Sequence, residues 1–106
     1  NAANGYTVSV SEDGQLRVST STFVIGVSDG AVTAGFEEYG WRAFGQRATS
    51  TSQDYAFSTT TSSIQSSSAL AAEAERVAIV YKAAVASNTP AGNYSHVVYY
   101  TVTANY

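Results

Sequence analysis

The feature that most constrains this chain is a two-residue rhythm. Near its end, Tyr94, His96, Val98, Tyr100 and Val102 alternate with Ser95, Val97, Tyr99, Thr101 and Thr103. Before them, Val77, Ile79, Tyr81, Ala83 and Val85 alternate with Ala78, Val80, Lys82 and Ala84. Successive side chains of a strand point to opposite faces, so a period of two predicts β-strand. The same rhythm opens the chain, with Tyr6, Val8 and Val10 on one side and Thr7, Ser9 and Ser11 on the other.

The residue supply agrees with that reading. The hydrophobic 44% comes from Val, Ala, Tyr, Ile and Phe, with Leu only at Leu16 and Leu70 and no Met. Helical cores lean on Leu and Met, whereas β-branched and aromatic residues suit strands. A chain of 106 residues is the size of one domain and can bury about two-thirds of its surface. One core is expected, in a single domain over residues 1–106.

Turn chemistry divides the rhythm into segments. Asp13-Gly14 between two alternating runs predicts a hairpin over residues 5–20, because Gly accepts the positive φ of a tight turn. Phe23, Val24, Ile25 and Val27, closed by Ser28-Asp29-Gly30, read as a strand buried on both faces or crossing between sheets. Around Tyr39-Gly40-Trp41-Arg42-Ala43-Phe44, Tyr39 and Trp41 share one face, and the aromatic core is densest there. Tyr55 and Phe57 predict a strand near 54–60, followed by a Ser/Thr-rich surface loop to residue 69. Ala69 to Arg76 has helix propensity, with Ser68 as a cap, before strand resumes at Val77. Ser87 to Asn93, with Pro90 and Gly92, joins this strand to a last one over Tyr94–Ala104. About seven short strands make an all-β fold, an antiparallel β-sandwich of immunoglobulin-like or jelly-roll-like kind, with barrel closure as the alternative.

Charge narrows the function classes. Charged residues form 12% of the chain, about half the usual quarter, and Ser and Thr take up the difference. A net charge of -3 with Arg17, Arg42, Arg47, Arg76 and Lys82 scattered leaves no basic footprint for nucleic acid. Without cysteine there are no disulfides and no thiolate metal sites. No apolar stretch is long enough to span a bilayer. Asn1 in place of Met predicts a processed or excised product, so the lack of an export signal is uninformative.

No residue set assembles a catalytic, cofactor or metal site in this reading. His96 is the only histidine, and acid–base work needs a partner that its strand neighbours do not supply. Glu37-Glu38 diverge as consecutive side chains do. Ser11-Glu12-Asp13-Gly14 lacks the spacing of a calcium loop. Gly26, Gly30, Gly35, Gly40 and Gly45 lack phosphate-cradle spacing and read as turns and bulges. Lys82, the only lysine, raises an intramolecular amide to Asn93 or Asn105, against a plain surface lysine. Asn93-Tyr94-Ser95 is a glycosylation sequon.

Tyr81-Lys82-Ala83-Ala84-Val85, Asn88 to Tyr94 and Tyr99 to Tyr106 together resemble the C-terminal hairpin of immunoglobulin-like modules in repetitive bacterial cell-surface proteins. Asn1-Ala2-Ala3-Asn4-Gly5-Tyr6-Thr7-Val8 resembles a segment of secreted proteins from candidate-phylum bacteria. The resemblance implies secretion and a surface role.

Two functions follow as expectations. The first is a non-catalytic structural subunit of a cell-surface filament, pilus-like, or surface layer, extended by strand addition between identical copies through Tyr6, Val8 and Val10 or Val98, Tyr100 and Val102. The second is an adhesin or carbohydrate-binding module that meets a glycan through Trp41, Asn88 and Asn93.

Overall fold

The computed structural model describes residues 4–19, 24–69 and 75–106. These residues form a β-sandwich of eight strands: β1 (Tyr6–Glu12), β2 (Leu16–Val18), β3 (Val24–Val27), β4 (Glu38–Gly45), β5 (Ser62–Ser67), β6 (Val77–Ala84), β7 (Tyr94–Ser95) and β8 (Val98–Ala104). One sheet has the order β5-β1-β8 and the other β6-β4-β3-β2-β7. All pairs are antiparallel except β3 with β4, which pair in parallel at Gly26↔Glu38 and Val27↔Tyr39. The connection between these two returns to the same end through Gly30 and Gly35, both at positive φ, a conformation that Gly enters freely.

The alternation predicts the inward faces correctly. Tyr39, Trp41 and Ala43 of β4 are buried, and across the ladder they oppose Ala83, Tyr81 and Ile79 of β6. On β1, Val10 is buried, and it opposes Tyr100 of β8 as Val8 opposes Val102. Opposed residues share a face, so Tyr100 and Val102 lie on the inward side of their sheet. Contacts between the layers align them: Glu12 meets Tyr39, Tyr100 meets Tyr81 and Tyr6 meets Glu75. β8 therefore stands across from β6, and Glu12 at the end of β1 across from β4.

Four expected elements differ. The hairpin over 5–20 is not one, because β1 pairs with β5 and β8 while β2 pairs with β3 and β7 in the other sheet. Gly14 is not among the positive-φ glycines, so the tight-turn geometry that Asp-Gly signals is absent. Instead the β1–β8 ribbon bends at Asp13 and Val97 and continues as β2–β7. The last strand accordingly breaks into β7 and β8 at His96-Val97.

The segment 54–60 is not a strand, and the Ser/Thr-rich stretch behind it is. Tyr55 pairs with Trp41 in an isolated bridge, and three residues later Ser58 O accepts Glu12 N at 2.8 Å. A segment that crosses between sheets within three residues joins neither ladder. β5 then pairs with β1, with a bulge at which Ile64 is the extra residue. That bulge turns Ile64 into the core, where it is 1% exposed. The helical turn expected over 69–76 falls largely on residues 70–74, outside the described residues. Phe23 lies outside them too.

Ile64→Ala is expected to cost about 2–5 kcal/mol of stability, as deleting a core aliphatic does. A side chain in a surface loop would cost under about 0.5 kcal/mol. Urea unfolding followed by circular dichroism separates the two.

Candidate functional site

The bend of the ribbon brings together groups far apart in sequence. Asp13 N donates to Val97 O at 3.0 Å, and Val97 N returns the bond to Asp13 Oδ1 at 3.0 Å. Arg17 closes on the same carboxylate at 3.0 Å. The guanidinium, and then the Val97 amide, hold the Asp13 carboxyl down at about 2.

Inside the bend, Glu12 is buried. Its Oε2 accepts the Tyr39 hydroxyl at 2.7 Å and meets His96 Nδ1 at 3.0 Å. The Tyr39 hydroxyl accepts Leu16 N at 3.2 Å in turn. Burial first, then the Glu12 carboxylate, raise the Tyr39 hydroxyl well above the ordinary phenol range. The His96 ring stands edge-on to Tyr39 and to Phe57, with centroids at 5.4 and 5.3 Å, an arrangement that aromatic quadrupoles favour. These rings, with Leu16, Tyr81 and Ala83, line a cavity of about 210 Å³. That volume is below the roughly 300–1,000 Å³ of small-molecule pockets.

Glu12 is thus the carboxylate that His96 lacks in sequence. Its position carried a signal, for Tyr6, Val8, Val10 and Glu12 share one parity, which puts the acid on the buried face. The pair orients an imidazole, but nucleophilic catalysis needs a hydroxyl or thiol on the other ring nitrogen. Among the described residues no such side chain bonds to His96. Nor do the described residues gather three His, Cys, Asp or Glu side chains around a metal position. Glu12 and Asp13 of the considered calcium loop point to different partners. Glu38 accepts Thr33 N at 2.7 Å, apart from any second acid.

A second polar cluster lies on the outer face of β4 and β6. Asp54, buried, accepts Val32 N at 2.9 Å and sits 3.0 Å from Lys82 and 3.3 Å from Arg42. The Val32 amide and then the Lys82 ammonium lower its carboxyl from the usual range. The Lys82 partner is therefore Asp54 and neither Asn93 nor Asn105. An amide requires a protonated carboxyl, and the charged form of Asp54 is the one favoured here.

The expected ligand contacts do not converge. Trp41 is 0% exposed, and its indole donates to Ala56 O at 3.3 Å. Its ring packs on Tyr55 and Phe57, so it serves the core and presents no face to a sugar. Asn88 and Asn93 are exposed on the connection between β6 and β7, away from it. The expected assembly residues separate likewise. Tyr6, Val8 and Val10 belong to β1, whose two edges are taken by β5 and β8, so they offer no edge to another chain. Val98, Tyr100 and Val102 belong to β8, an outer strand.

β8 is the chemically distinctive edge. Four strands end the two sheets. β5 is covered by the chain at Arg47–Thr49, through Ser66 N to Arg47 O and Thr49 N to Ile64 O. β7 has two residues. β6 carries Lys82. β8 runs seven residues, VYYTVTA, with no charge, Pro or Gly, the devices by which edges are usually protected. Val102 is 71% exposed and Tyr100 49% exposed, although both face inward.

Set against protein-family models, curated proteins and solved structures, the chain matches none. No helix among the described residues is long and apolar enough to cross a membrane.

Two outcomes test the polar clusters. The intact mass of the purified chain is expected to equal that of its sequence, without the loss of water that a Lys82–Asp54 amide entails or of ammonia that an Asn amide entails. Asp54→Asn is expected to cost about 1–3 kcal/mol at neutral pH, as lost charge-assisted hydrogen bonds do. The folded carboxyl titrates below its unfolded value near about 3.9, so its contribution is present above that pH and lost as pH falls through the folded value. The gap between wild type and variant in urea midpoints should therefore close below about pH 4.

Proposed function

We propose that this protein is a non-catalytic extracellular structural subunit that builds a cell-surface filament or layer by adding strands between copies. The observation that carries this reading is the edge of β8, long, uncharged and, among the described residues, uncapped. An added strand satisfies its free N–H and C=O groups and covers Tyr100 and Val102 at once. The low charge weakens repulsion between neighbours, and the hydroxyl-rich composition with the resemblance of its closing stretches supports a place at the cell surface. With Trp41 withdrawn into the core, the glycan-binding alternative has lost its expected stacking platform.

Electron microscopy of the purified chain, with sizing alongside, is expected to show regular filaments or sheets. Val102→Lys places a charge on the inward side of the edge, where an added strand must pack. Because this side chain is exposed, the variant should lose assembly while changing stability by less than about 0.5 kcal/mol. Dispersed wild-type monomers at high concentration defeat the reading.

A further inference from the structure

The sandwich has one closed side and one open side. The crossing segment at Tyr55–Ser58 bonds to both layers, Tyr55 to Trp41 and Ser58 to Glu12, and seals the side next to β5. On the other side, β8 ends one sheet and β6 ends the other. The hydroxyls of Tyr81 and Tyr100 meet across the gap. These residues lie near the middle of β6 and of β8, so the midpoints of the two outer strands stand one above the other. Among the described residues no backbone group bonds to the outer edge of either strand. Tyr81 is 54% exposed, although it opposes the fully buried Trp41.

From this geometry we infer that the open side receives a second copy of the same chain, related by a two-fold axis through Tyr81 and Tyr100, with β8 pairing antiparallel to its counterpart and β6 to its own. The inference rests on the strand-addition reading and narrows it: strand addition through β8 and β6 is completed within the closed two-fold pair, and that pair, not the single chain, is the unit that a filament or layer repeats.

Three observations select a second copy as the occupant. All eight strands are already placed in sheets, so among the described residues no spare strand exists to donate, and edges must meet edges. A two-fold axis normal to the layers joins each edge to itself and keeps inward faces inward, so one operation satisfies both edges. It also brings Tyr81, Tyr100 and Val102 of both copies into one continuous apolar layer. Finally, the side is neutral to its own image. β8 carries no charge, and the single charge of β6, Lys82, is held by Asp54 at 3.0 Å.

The absence of cysteine makes single-site spin labelling direct. Labels are attached in turn at Tyr99→Cys, Thr101→Cys and Thr103→Cys on the outward face of β8, and at Ala78→Cys and Val80→Cys on that of β6. Label-to-label distances are read in the assembled protein. In a two-fold antiparallel pair, the distance from a residue to its own copy grows by about twice the 3.4 Å rise for every residue away from the axis. Labels two residues apart and on the same side of the axis should therefore differ by about 14 Å. The expected result is such a gradient on both strands, with equally short distances at Tyr99 and Thr101 and a long one at Thr103 on β8, and a short distance at Val80 and a long one at Ala78 on β6. Distances equal at every position mean a translational, head-to-tail contact and overturn the two-fold pair while leaving strand addition standing. A gradient on β8 alone overturns the double pairing. A chain that stays monomeric by light scattering overturns both readings.

Discussion

The structure depends on the bend that carries one two-stranded ribbon from the first sheet into the second. A strand pair continues straight unless something interrupts its ladder and rewards the interruption. Here the Asp13 carboxylate and amide take the Val97 backbone, while Glu12 turns inward to accept Tyr39 and meet His96. Burying a carboxylate is costly unless every lone pair finds a donor. Glu12 finds its donors only when β1, β4 and the His96 connector are all in place. A slip of one residue in β1 would expose Val10 and strand the acid on the wrong face. The bend thus fixes register as well as direction.

From that bend follows the asymmetry of the sandwich. The ribbon places β1 in the middle of its sheet, with β8 outermost because β8 is the ribbon's other strand. The chain at 46–58 has to travel from the end of β4 to the start of β5, and it does so along the β5 side, donating and accepting bonds in both layers. Nothing comparable in the described residues passes the β8 side. The core is therefore well covered at Trp41, Ile64 and Val10 and thins toward Tyr81 and Tyr100. The functional proposal is a consequence of chain path more than of any special residue.

How much of this was legible depends on which physical signal each element emits. β4 and β6 advertise themselves, because their larger side chains of one parity, Tyr39 and Trp41 on β4 and Ile79 and Tyr81 on β6, share one face of the ladder. β5 does not, since SSIQSS has one large apolar residue and owes its conformation to pairing with β1 and to the bulge that buries Ile64. Local sequence weighs little where the partner ladder decides. Tyr55 and Phe57 mislead for the opposite reason: they alternate and point inward, yet the backbone between them and Ser58 changes sheets. The bend was misread because Asp-Gly is a strong hairpin signal, while the groups that overrule it, Val97 and His96, lie more than eighty residues away. The candidate edge was half visible. Alternation named both β1 and β8, and only the strand order, a long-range property, tells which of them is outermost.

The same composition that makes β strands also lowers the entropic resistance to association. Fixing Lys, Glu or Gln at an interface costs up to about 1.5–2 kcal/mol of side-chain entropy each. β8 has none of these, and its Val and Thr residues, being β-branched, have few rotamers to lose, while the tyrosines bring large area on two rotatable bonds. The backbone of an edge strand is already extended and paired along one side, so an incoming strand finds half of the ladder ordered in advance. Affinity gained this way comes from preorganisation and not from any single strong contact. An ordinary monomeric sandwich would disable such an edge with one inward lysine. In this chain the sole lysine lies on the other outer strand with its charge held by Asp54, and the open side is left free to accept its own image.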